Sequence, residues 1–268
     1  MNVLVVDVGG TSVKILATGQ SEPRKFPSGP ELTAQAMVAG VKAAAQGWDY
    51  EVVSIGYPGA VLQNRPIAEP HNLAAGWVAF DYAAAFGEPV KLINDAAMQA
   101  LGSYNGGVML FLGLGTGLGT AMIVDGIVQP MELGHMPYRK ATYEDYVGLR
   151  GLERLGKKKW QKHVAAVIDK MVAALEPTDV VIGGGNARRL DSLPPGCRLG
   201  DNANAFIGGF RLWTNHGQST AVAIAATTPA TVAEIPKAAK TPAVTTKPAA
   251  AKKPAAAKKP AAAKKRKP

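Results

Sequence analysis

Two glycine-rich turns and two acids are the residues of this chain best suited to chemistry. Gly9-Gly10-Thr11 follows the apolar run Val3 to Val6 and Asp7, and Gly115-Thr116-Gly117 sits inside the run Gly113 to Gly119. Small residues in a tight turn leave backbone N–H groups pointing outward, a concavity that suits phosphate oxygens. Neither turn is a Walker A loop, because no Gly-Lys-Ser/Thr follows. The run from Gly113 is not a dinucleotide fingerprint either, since its glycines alternate and lead into a strand pattern. One such loop is ordinarily only a turn; two at matching places in two similar halves carry more. Asp7 either bonds its own turn or holds hydrated Mg²⁺ against the phosphates. Asp95 closes the apolar run Val90 to Ile93 and opens a helix. It reads as an N-cap or as a general base at the mouth of a cleft.

Glu132-x-Gly134-His135 places an acceptor and a neutral ring near each other on an irregular segment, a pairing suited to polyol hydroxyls. A metal is disfavoured, because His71, His163 and His216 show no paired ligand spacing with His135. One cysteine, Cys197, excludes an internal disulfide framework and a cysteine-only metal cage. Such cysteine usage suits a reducing, cytoplasmic setting, and the opening Met1-Asn2-Val3-Leu4 lacks the basic start of a signal peptide.

These residues need elements to hold them. Val13 to Ala17 is a strand candidate that makes the Asp7 to Ser12 segment a hairpin turn. Glu31 to Gln46 reads as a helix, Val52 to Ile55 as a strand, and Ala96 to Leu101 as a helix. Ala96 to Val124 has no charged residue, longer than the roughly 20 residues of a membrane span. Its glycines weaken a helix by about 1 kcal/mol each, so the segment reads as strand, glycine loop and strand. Asp125-Gly126 signals a hairpin. Helices are expected over Tyr143 to Leu155, Lys159 to Leu175 and Asn202 to Trp213, with a buried strand at Val180 to Ile182. Each half runs strand, Gly/Thr turn, strand, then helices. The expectation is α/β layering in two similar domains facing across a cleft, residues 1–104 and 105–226, with room for the last helix to pack back on the first domain.

Charge divides the chain differently. The 268 residues carry a formal net charge of +10. From Thr227 to Pro268 there are eleven basic residues and one acid, Glu234, so the tail carries all of it and the body is neutral. A basic globular domain with a nucleic-acid face is thereby excluded. The tail is Ala, Pro, Lys and Thr with a recurring KKPAAA, and its composition predicts disorder over 227–268. Such a polycation binds polyphosphate, nucleic acid or another polyanion by counterion release, or is simply solvated. No transmembrane segment is expected.

At this point the residues resemble a known family. Asp7-Val8-Gly9-Gly10-Thr11-Ser12-Val13-Lys14 looks like the first phosphate motif of the ROK sugar kinases. Leu114-Gly115-Thr116-Gly117-Leu118-Gly119 looks like the second, and Asn94-Asp95-Ala96 like the catalytic motif. Glu132-Leu133-Gly134-His135 looks like the sugar motif and Val181-Ile182-Gly183-Gly184-Gly185 like the nucleotide-side motif. The resemblance spans residues 1 to about 214 and implies an actin-like ATPase (RNase H-like) fold. It implies a hexose kinase, foremost a glucokinase, with Asp95 as base toward the sugar 6-hydroxyl. Asn72, Asn94, Glu132 and His135 would hold sugar hydroxyls. Gly9, Gly10, Thr11, Lys14, Gly115, Thr116 and Gly117 would hold donor phosphates, Gly184 would lie near an adenine, and Asp7 would position Mg²⁺ through water. The family often forms dimers, so a homodimer is among the expectations.

The sequence departs from the family pattern in one place besides its tail. Many members carry a cysteine-rich zinc motif where this chain has Tyr146-Val147-Gly148-Leu149-Arg150-Gly151-Leu152-Glu153. No structural zinc is expected, and packing by Val147 and Leu152 is expected instead. Glu153 is a further sugar-ligand candidate one residue out of register, with Glu144 as the other. The chain looks like the polyphosphate-glucokinase branch, whose donor is ATP, polyphosphate or both. The competing readings are a sugar-responsive regulator and a non-catalytic sugar-binding protein. The first lacks room for a helix-turn-helix ahead of Asp7, and the presence of Asp95 argues against the second.

Overall fold

The computed structural model describes residues 1–214, so the Lys/Ala/Pro-rich tail lies outside the described residues. Its strands form two five-stranded sheets. The first contains β1 (Val3–Val8), β2 (Ser12–Ala17), β3 (Arg24–Pro27), β4 (Val52–Tyr57) and β7 (Val90–Asn94). Their order is β3-β2-β1-β4-β7. The second contains β8 (Val108–Leu114), β9 (Leu118–Val124), β10 (Ile127–Met131), β13 (Asp179–Gly183) and β14 (Cys197–Leu199). Their order is β10-β9-β8-β13-β14. In each sheet the first three strands in sequence pair antiparallel, and the two later strands join parallel to the first. The two sheets therefore repeat one topology, the doubled actin-like plan that the resemblance implies. Two small hairpins stand outside them, β5 (Val61–Leu62) with β6 (Arg65–Pro66), and β11 (Pro137–Tyr138) with β12 (Ala141–Thr142).

Hydrophobic patterning explains the layers. Every residue of β1 and β4 is buried, as befits strands covered on both faces. On one face, Leu4, Val6 and Ile15 pack against α1 (Ala34–Ala44) and α2 (Tyr82–Phe86) through Met37, Val41 and Phe86. On the other, Val3, Val5 and Val52 meet α3 (Asp95–Ser103) and α7 (Asn204–Arg211), which also receive Met109, Phe111 and Ile123 of the second sheet. The far face of the second sheet, Leu110, Leu112 and Ile182, packs on α6 (Lys157–Leu175) through Trp160, Val164 and Ile168. Two short helices, α4 (Tyr143–Val147) and α5 (Leu149–Leu155), precede α6. The helix pair α3 and α7 is thus the middle layer, shared by both sheets. The pair crosses at glycine, since a Cβ on Gly208 would overlap the Met98 carbonyl.

Where structure and expectation differ, the causes are local. The single helix expected over Tyr143 to Leu155 is broken at Gly148, whose backbone is extended (φ −75°, ψ −175°). The break lets the Leu149 N–H reach the Gly115 and Thr116 carbonyls at 3.0 and 3.1 Å. Strands β3 and β14 were not expected. They are short edges with little period-two signal, defined by pairing with a neighbour. Asp125-Gly126 makes the expected hairpin turn, with φ of 50° and 83°. The charge-free segment ends in strands β8 and β9, and no described helix is long and apolar enough to cross a membrane. Val147 and Leu152 are buried in the core beneath α6, and no described group of three or more His, Cys, Asp or Glu could hold a metal ion.

Candidate active site

Strand β7 ends in Asn94, and α3 begins at once with Asp95. Asn94 Oδ1 accepts the Ala97 N–H at 3.0 Å, so Asn94 is the N-cap. Its amide donates one N–H to the Gly59 carbonyl at 3.1 Å, and the second N–H has no partner among the described residues. Capping duty is thereby lifted from Asp95. The Asp95 carboxyl takes one short bond, from the Ala96 N–H at 2.7 Å. Burial, and next the nearby Asp7 and Glu132 charges, outweigh that bond and push Asp95 up to about 7. A helix N-terminus ordinarily favours the carboxylate; here desolvation is the larger effect.

Asp7 closes β1 and is buried. Its desolvation raises it above the usual carboxylate range, opposed by Lys14, whose Nζ lies 3.4 Å from Oδ2. Lys14, expected as a phosphate ligand, is thus paired with Asp7 while remaining partly exposed. The first turn is braced from below: the Gly9 N–H donates to the Ser12 carbonyl at 3.1 Å and Ser28 Oγ donates to the Gly9 carbonyl at 2.6 Å. Gly10 and Thr11 are left exposed. Asn72 is beside this turn, its Cβ 3.8 Å from where a Cβ on Gly10 would stand.

The second turn is braced in the same way. The Gly115 carbonyl accepts from Leu149 N–H and, at 2.9 Å, from Asn186 Nδ2. Thr116 is exposed at its tip. Gly184 has φ +82° and a Cβ there would stand 2.5 Å from the Leu114 carbonyl, so only glycine lets the Gly183-Gly184-Gly185 loop lie on this turn. Asn186, whose N–H also bonds the Leu114 carbonyl at 2.9 Å, joins the two loops. Sequence reasoning missed Asn186; its position just after Gly183-Gly184-Gly185 was the available signal.

Glu132, His135 and Glu144 gather at the sugar-motif end. His135 Nε2 lies 3.9 Å from Glu144 Oε1, and Arg150 approaches the same oxygen at 3.7 Å. Glu132 is raised above the usual carboxylate range, first by burial of its carboxyl and then by Glu144, with His135 and His71 opposing. His71, not singled out from the sequence, brings its ring edge-on to His135 with centroids 6.4 Å apart. Of the two acids weighed for this end, Glu144 stands beside His135 and against Gly117. Glu153 lies on the exposed side of α5.

Helix α3 carries Asp95 between the two sheets because both present glycine to it. A Cβ on Gly56 of β4 would strike the Met98 side chain, and one on Gly119 of β9 would stand 2.8 Å from the Ala96 Cβ. The result is a carboxylate pair, Asp7 buried and Asp95 partly exposed, flanked by two braced turns and a polar cluster. A hard divalent cation fits this donor set, since Mg²⁺ takes one or two carboxylates and fills its shell with water and phosphate oxygens. The charge that raises Asp95 is the negative charge such a cation would offset.

Comparison with known proteins agrees with this geometry. The family model described as "ROK family" matches residues 3–151. A polyphosphate glucokinase of Mycobacterium tuberculosis is 26% identical over 212 residues, covering 71% of this chain and 80% of the relative. Among solved structures, an inorganic polyphosphate/ATP-glucomannokinase from Arthrobacter sp. strain KM superposes with a TM-score of 0.68 at 22% identity, covering 78% of this chain and 96% of that one. A glucokinase from Streptomyces griseus in complex with glucose and AMPPNP gives 0.66 at 18% identity, covering 79% and 99%. These two structural likenesses concern the fold.

Proposed function

The chain belongs to the ROK family, and from that premise we propose that it is a cytoplasmic hexose kinase, foremost a glucokinase, drawing on ATP or polyphosphate. The observation that carries the proposal is the position of Asp95: a carboxylate pushed up to about 7, at the start of a helix set between the two sheets against Gly56 and Gly119. A base poised near the working pH is the most effective kind.

Glu132, His135, Glu144 and Asn72 hold the sugar hydroxyls and set its 6-hydroxyl toward Asp95. Asp95 takes the hydroxyl proton as the oxygen bonds to the terminal phosphorus and the bond to the leaving phosphate oxygen breaks. N–H groups at Gly10, Thr11, Thr116 and Gly117 orient the donor phosphates. Asp7 would hold Mg²⁺, which supplies charge neutralisation on those phosphates when bound. Catalysis of this kind is chiefly positioning and electrostatics.

The test is glucose 6-phosphate formation by the full chain with ATP and with polyphosphate. Turnover with at least one donor is expected; none with either, from folded protein that binds glucose, contradicts the proposal. A version ending at Thr227 tests the tail. A higher KM for polyphosphate alone would assign the tail to donor recruitment, and unchanged KM values for both donors would remove it from the reaction.

A further inference from the structure

On the outer side of the second half, a cavity of about 440 Å³ is lined by Pro137, Tyr138, Arg139, Tyr143, Ala166 and Lys170. None of these residues belongs to the sugar or phosphate sites. One wall is aromatic. The Tyr138 and Tyr143 rings lie 5.2 Å apart at 37°, and the Tyr138 hydroxyl is tied to His163 Nδ1 at 3.1 Å, which holds that ring in place. The rim is cationic. The Arg139 guanidinium stands 5.6 Å from the Tyr138 ring centroid, and Lys170 comes from α6. Arg139 is also one of the few non-glycine residues with positive φ, 55°, at the tip of the β11–β12 hairpin. Glycine or asparagine would sit there at less cost. The hairpin holds a long cation in a left-handed conformation directly over an aromatic ring.

We propose that this cavity is an accessory nucleotide site, separate from the catalytic cleft. A nucleoside monophosphate lays its base against the partly exposed Tyr143, with buried Tyr138 backing that ring, and sets its phosphate between Arg139 and Lys170. Planar rings favour offset stacking at such separations, and paired cations on a rim favour a phosphate dianion. The hairpin is the covalent link between His135 and Glu144, and the Tyr143 N–H bonds the Met136 carbonyl at 3.0 Å. Occupancy is therefore expected to act on sugar KM more than on kcat. That second effect rests on the kinase reading; binding itself does not.

The direct experiment is calorimetric titration of AMP into the full chain, wild type and two variants. Arg139→Gly removes the guanidinium and suits the positive φ, and Lys170→Ala removes the other cation. A component of AMP binding that each variant weakens tenfold or more, with melting temperatures unchanged, supports the site. Binding that neither variant alters overturns it, as does inorganic phosphate or glucose 6-phosphate binding as tightly as AMP at the Arg139-dependent site. A chain dimer that Arg139→Gly dissociates would also overturn it, by making the cavity an interface. Nucleotide binding could succeed with no kinase activity at all, and kinase activity with no accessory binding, so the two readings fail separately.

Discussion

At the end of β1 stands Asp7, paired across the sheet with Lys14 on β2 and Gly56 on β4. At the same place in the second sheet stands Gly113, paired with Gly119 on β9 and Gly183 on β13. One topology thus carries opposite chemistry at equivalent positions. The first half supplies charge: Asp7, Lys14, and Asp95 just beyond β7. The second supplies absence of side chain, and each glycine has a neighbour that needs the space. Gly119 admits the start of α3, and Gly183 admits the Phe111 ring, which would stand 2.6 Å from a Cβ there. The helix bearing the proposed base lies between the sheets because Gly119 of the second half, like Gly56 of the first, gives up its side chain. Repeating a fold therefore did not repeat a site; it made one site from two unlike halves.

Four tests, using five substitutions, would break or sharpen that contrast. The largest effect is expected at the crossing of the shared helices. Gly208→Ala drives a methyl into the Met98 carbonyl on backbone that cannot yield cheaply, and should cost about 3 kcal/mol of stability in chemical denaturation. Next, Gly119→Ala presses on Ala96 and displaces Asp95. Turnover should fall about tenfold while sugar binding changes little. Gly113→Ala is its counterpart at the position equivalent to Asp7. There the nearest neighbour is a Phe111 ring atom at 3.3 Å that can give, so a clearly smaller loss is expected.

The third test concerns stability against pH. Asp95 is raised above its unfolded value, so the folded state keeps a proton that the unfolded state has released. The stability this gives is fully present below the ordinary carboxylate pKa and is lost as pH rises through about 7. Asp95→Asn lacks that loss. At pH 8 the variant should be more stable than wild type, with the gap closing toward pH 4 in thermal melts. The fourth and smallest effect tests the coupling between the acids. Asp7→Asn removes a charge that raises Asp95, so the midpoint of Asp95 followed by NMR titration should move down.

How far the sequence reaches follows the same division. The five motifs were legible because glycines and acids at strand ends are local signals, and they located the turns, Asp7 and Asp95 correctly along the chain. Elements defined by partners were less legible. Strand β3, Arg24–Pro27, carries little periodicity of its own and is a strand because β2 pairs with it. The break at Gly148 exists to pass beneath Thr116, thirty-two residues earlier in the chain. At the site, Asp95 reads from sequence as a cap or a general base, and the cap is Asn94. Glu144 could be separated from Glu153 only by contact, since both lie on polar helical stretches and one of them faces His135. His71 and Asn186 are ordinary loop residues until the chain folds around them.

The account turns on Asp95 as the proton acceptor. The most direct measurement is glucose 6-phosphate formation by Asp95→Asn beside wild type, with glucose binding measured on the same preparations. A loss in kcat of about 10²–10⁴-fold with glucose affinity and cooperative melting retained is the predicted result. Wild-type turnover from the folded variant would contradict it.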